Sequence, residues 1–117
     1  MALFEADHGE PARAVELARR AAAERPDNVY VDDALAWSLF RSGNAGAARP
    51  WITRAQRLGT ADPMIQFHTA AIAEATGDLT TARTSIAKVL ATNPWFSFHV
   101  HGDVTALAQR LGVRPAP

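Results

Sequence analysis

One seven-residue frame recurs along this chain at a fixed distance, and that spacing limits the folds available to it. The frame reads Gly43-Asn44-Ala45-Gly46-Ala47-Ala48-Arg49, and it appears upstream as Gly9-Glu10-Pro11-Ala12-Arg13-Ala14-Val15 and downstream as Gly77-Asp78-Leu79-Thr80-Thr81-Ala82-Arg83. The three glycines stand 34 residues apart. Ala14, Ala48 and Ala82 keep this register, as do Ala18, Ile52 and Ile86, and Ala21, Ala55 and Val89. Pro26 and Pro94 are separated by twice the period. A constant period of this length, with a glycine turn and a small residue five positions later, describes a helix-turn-helix unit copied and stacked on itself.

Between these landmarks the chain reads as helices. Residues 2–8 are expected to be the end of a shortened helix. Pro11 suits a first helical turn, where its missing N–H costs nothing, and residues 11–25 are rich in good helix formers. Glu16 precedes Arg20 by four, a favourable surface pair. Leu35, Ala36, Leu39 and Phe40 form an apolar stripe on a helix starting near Val29, with Ser42-Gly43 as its stop. Asn44 is a candidate N-cap for a helix over 45–58. Within that helix, Pro50 predicts a bend or a late start, because its ring opposes the carbonyl of Gly46. Helices follow over 63–76 and 79–92. Residues 95–102 fit no repeat position and alternate apolar with polar, which predicts an extended segment. Asp103 is the expected cap of a last helix, whose stripe is Val104, Leu107, Ala108 and Leu111.

The framework resembles the tetratricopeptide repeat over residues 2–94. The turn glycine of that family corresponds to Gly9, Gly43 and Gly77, its small second-helix residue to Ala14, Ala48 and Ala82, and its closing proline to Pro26 and Pro94. The early aromatic of the family pattern is replaced by Asp32 and Gln66, the bulky residue before the turn is Leu39 and then Ala73, and the middle unit ends on Thr60. The resemblance implies an all-α fold: a right-handed superhelix of antiparallel helix pairs, an α-solenoid. It divides one domain, 1–117, into a partial repeat (2–26), two full repeats (29–60 and 63–94) and a capping helix (103–112) of the kind a solenoid end requires. It also implies a protein–protein interaction scaffold, with the first helix of each unit lining a concave groove. The residues so placed are Tyr30, Asp33, Trp37 and Arg41, then Met64, Phe67, His68, Ala71 and Glu74. The spacing of 33, 37 and 41 puts those three on one helix face. Trp37 and Phe67 would be apolar anchors, or else inter-unit packing residues; Asp33, Arg41 and Glu74 would be polar contacts.

Composition narrows the chemistry. The 117 residues carry 12 basic and 12 acidic side chains, so the net charge is zero with histidine neutral. That balance removes the global attraction to nucleic acid or anionic membranes. Residues 34–61 nonetheless contain no acid while holding Arg41, Arg49, Arg54 and Arg57 with Trp51 among them. This is either a basic patch for nucleic acid or an acidic protein, or a solvated outer face, and the balanced total favours the second. Cysteine is absent, which excludes disulfides and thiol chemistry. No apolar run approaches a membrane span, and the first residues lack a signal-peptide pattern, so a cytoplasmic protein is expected. Heavy Arg and Ala usage suggests a bacterial source.

His99 and His101 lie two apart in the expected extended segment and would face one side, with Asp103 as a third candidate ligand for zinc or nickel. A small helical metal-binding or regulatory module is therefore the alternative to a scaffold; paired surface histidines are the simpler account. Asp32 and Asp33 are adjacent on a helix and diverge by about 100°, and no serine has a nucleophile context, so no catalytic residues and no cofactor are expected. The shortened first unit would leave an apolar end open. Such an end invites pairing with a second copy, or belongs to a longer repeat array.

Overall fold

Helix boundaries follow the punctuation of the sequence closely. The computed structural model describes residues 11–59, 62–92 and 101–113. Among them are six α-helices and no strand: α1 (Pro11–Glu24), α2 (Val29–Arg41), α3 (Ala45–Ala55), α4 (Pro63–Ala75), α5 (Leu79–Thr92) and α6 (His101–Leu111). The expected helix over 2–8 and the expected extended segment over 95–100 lie outside the described residues. The chain divides into two compact units, Met1–Thr60 and Ala61–Pro117.

In the first unit α1 packs on α2 and α2 on α3. The α2–α3 turn uses three residues for two purposes. Gly43 adopts φ +89°, which carries the chain out of the helix. A side chain would strain that backbone even though a Cβ there would meet no neighbour within 4 Å. The Gly43 N–H donates to the Phe40 carbonyl and the Asn44 N–H to the Leu39 carbonyl, the pair of bonds that closes a helix end on glycine. Asn44 then opens α3, its side-chain oxygen accepting from the Ala47 N–H at 3.3 Å. Four residues on, Ala48 is fully buried, with Ile52 and Ala55 on the same face.

In the second unit α4 packs on α5 and α5 on α6. The α4–α5 turn repeats the first turn bond for bond. Gly77 has φ +83°, its N–H donates to Glu74 and that of Asp78 to Ala73. The Asp78 carboxylate accepts from the Thr81 N–H at 3.1 Å, and Ala82, Ile86 and Val89 are buried. Small residues at 48 and 82 let the two helices of each pair approach closely; a larger side chain would force them apart.

Several expectations change. The α3 helix starts on time at Ala45 and runs through Pro50, so no late start occurs. The ring instead leaves the Gly46 carbonyl without its usual helical donor. The same helix ends at Ala55 rather than 58, and Gln56, Arg57 and Gly59 close it with short i→i+3 turn bonds. The last helix begins at His101, so residues 101–102 are helical and Asp103 lies in the first turn instead of capping it. An acid there suits the positive end of the helix.

Candidate functional site

On α2, the four residues expected to line a groove divide by exposure. Tyr30 is 61 % exposed and Arg41 is exposed in the last turn. Between them, Asp33 is buried and Trp37 is only 6 % exposed. The Trp37 ring stacks on Phe40 with centroids 5.0 Å apart. A helix repeating every 3.6 residues brings positions 30 and 41 within about 20° of each other, three turns apart, so the two exposed residues share one face.

On α4, Phe67 and His68 are 4 % and 2 % exposed, their rings tilted at 47° with centroids 5.9 Å apart. Met64 and Ala71 are half-buried. Glu74 has a partner that sequence reasoning missed. Arg110 on α6 grips it with two parallel bonds, Nε to Oε2 at 3.0 Å and Nη2 to Oε1 at 2.9 Å. Those hydrogen bonds hold the Arg110 guanidinium above its ordinary range. Nearby, Arg83 of α5 donates from Nε to the Leu111 carbonyl at 3.1 Å, satisfying one of the open acceptors at the end of α6. Both arginines tie α6 into its unit. The 36-residue separation of Glu74 and Arg110 leaves no local signal that could have revealed the pair.

The acid-free stretch also resolves differently from a uniform patch. Two of its arginines turn onto one buried carboxylate. Asp32, in the first turn of α2 and fully buried, accepts from Arg57 Nη1 at its Oδ2 at 2.5 Å, and Arg54 Nε lies 3.7 Å from the same oxygen. Arg54 also donates from Nη2 to the Pro26 carbonyl at 3.1 Å and lies 5.6 Å from the centre of the Trp51 ring, within cation–π range. Arg57 Nη1 donates in addition to the Arg54 carbonyl at 2.8 Å. The end of α3 is thereby fastened to the start of α2 and to the α1–α2 connection. The second carboxylate oxygen, Oδ1, is buried and has no hydrogen-bond partner among the described residues. The sequence signal for this site was the replacement of an expected aromatic by Asp32, together with an arginine run lacking acids.

Of the candidate metal ligands, His99 lies outside the described residues, His101 opens α6, and Asp103 is exposed in its first turn. Among the described residues no three His, Cys, Asp or Glu side chains are grouped to hold a metal ion. None of the described helices is long and apolar enough to cross a membrane. No protein-family model, curated protein or solved structure matches the chain.

Proposed function

We propose that this chain is a non-catalytic interaction scaffold of tetratricopeptide type, binding a peptide or partner helix through the groove face of a unit's first helix, such as α2, or through an apolar end. The observation that carries the proposal is the duplication of one construction at a 34-residue interval: Gly43 and Gly77 at positive φ, Asn44 and Asp78 as helix caps, and Ala48 and Ala82 fully buried. Units that repeat a frame offer extended surfaces, and binding across such surfaces is what stacked helical pairs do. On α2 the accessible residues of the groove face are Tyr30 and Arg41, while Asp33 and Trp37 on the same face are buried.

A peptide-display selection on the purified full chain tests this. Enriched peptides should lose about fivefold or more in affinity with Tyr30→Ala and with Arg41→Ala, the scale of a single contact of interface importance, while circular dichroism stays unchanged. Peptides whose binding ignores both substitutions would remove the groove from the proposal.

A further inference from the structure

The Asp32 cluster holds more positive charge and more hydrogen-bond donors than its one carboxylate uses. Two guanidinium groups meet at the same Oδ2 atom, so two positive charges face one negative charge. Arg54 and Arg57 remain 49 % and 30 % exposed at their side chains. A guanidinium offers five N–H bonds in a fixed fork. Among the described residues Arg57 donates only through Nη1, and Arg54 makes its hydrogen bond through Nη2. Arg57 Nε and Nη2 and Arg54 Nη1 are therefore uncommitted there. Asp32 and the Pro26 and Arg54 carbonyls hold the two groups in place, and Trp51 flanks Arg54. Ordering two long side chains is a large part of the cost of binding an anion between them, and here that ordering is already done.

We infer that Arg54 and Arg57 form a binding site for a phosphate group at the end of α3. The uncommitted N–H donors of the two guanidinium groups outnumber the two oxygens of a carboxylate and suit a group with three acceptor oxygens. The site is separate from the groove on α2 and does not depend on it. With zero net charge on the chain, a single anionic group is the fitting ligand; nucleic acid would need a charged track of several phosphate contacts. Inorganic phosphate and a phosphorylated side chain of a protein partner share this chemistry. Asp32 is a positioning residue here: it holds both arginines and also opposes the incoming anion.

Calorimetric titration of the full chain at constant ionic strength tests the site with three probes: inorganic phosphate, a phosphoserine peptide, and hexaglutamate. Phosphate or the phosphopeptide should bind in preference to hexaglutamate. Tighter binding of the free ion than of the peptide assigns the site to a small anion, and the reverse assigns it to a modified partner; either supports the site. Arg54→Gln, at a half-exposed side chain, should leave the helical spectrum intact and weaken binding about fivefold, the effect of losing one charge-assisted contact. Asp32→Asn should strengthen binding, because it removes the opposing charge and keeps an acceptor for the arginines. Absence of heat with both phosphate and the phosphopeptide, equal binding by Arg54→Gln, or preference for hexaglutamate would overturn the assignment. If Asp32→Asn fails to fold, the Arg54→Gln comparison decides alone.

Discussion

The α2–α3 and α4–α5 hairpins share their turns and differ beneath them. At the turn, Gly43 and Gly77, the paired closing bonds and the side-chain caps correspond one to one. Inside, the position 34 residues apart is Asp32 in the first hairpin and Gln66 in the second, both buried. The counterparts of Arg54 and Arg57 are Lys88 and Ala91. The first hairpin therefore encloses a charge and needs partners for it; the second encloses a neutral amide. Pro50 interrupts the hydrogen-bond ladder of α3, whereas Thr84 at the same position of α5 adds a bond from its hydroxyl to the Thr80 carbonyl. Turn geometry is fixed by backbone requirements that only a few residue types meet. The enclosed polar position is free to vary, provided that whatever is buried there finds a partner.

Perturbing both hairpins at matched positions separates what they share from what they do not. The largest effects belong to the shared core. Ile52→Ala and Ile86→Ala should each cost about 2–5 kcal/mol, the transfer and cavity cost of a buried isoleucine, measured by denaturant unfolding. Hydrogen exchange should place each loss mainly in its own unit. Uniform loss of protection through the whole chain in both variants would mean that the two units unfold as one.

Next in size is a difference. Arg57→Gln leaves Asp32 buried with only Arg54, 3.7 Å away, and should cost about 2–3 kcal/mol. That is less than a fully buried pair loses, because Arg57 keeps partial access to water and Arg54 remains. Lys88→Gln, at the position matching Arg54, should change stability by no more than about 0.5 kcal/mol as an exposed substitution. Equal effects in thermal melts would erase the distinction between the hairpins.

Smallest are the turns. Gly43→Ala and Gly77→Ala should cost about 1–2 kcal/mol each, the penalty for left-handed backbone with a Cβ. Chemical denaturation that separates them by more than about 1 kcal/mol would show that the two turns are not equivalent.

The helices were legible because their ends depend on local chemistry. Gly43 and Gly77 are needed where φ is positive, Asn28 and Asn44 cap the next N–H groups, and Asp62-Pro63 opens α4 with a cap and a proline in the first turn. The end of α3 was harder, since Gln56, Arg57 and Leu58 are acceptable helix residues. Arg57 is drawn instead to a carboxylate 25 positions earlier. Ion pairs of that span leave no periodic trace, and the same holds for Glu74 and Arg110. Trp37 and Phe67 carry an ambiguity of their own. A large aromatic on a first helix suits a groove and a packed contact equally well by spacing, and burial decides how much of each ring a partner could reach.

Asn44 and Asp78 each finish one helix and begin the next, with no residue to spare between the two tasks. This makes the length of the hairpin, more than its composition, the rigid quantity. One added residue between the cap and Ala48 or Ala82 would turn the following helix by about 100°. Ala47 and Trp51 would move into the places of Ala48 and Ile52, and Thr81 and Ser85 into those of Ala82 and Ile86. Insertions and deletions should therefore be confined to the connections outside these turns, and any lengthened copy of the unit would have to grow by whole repeats.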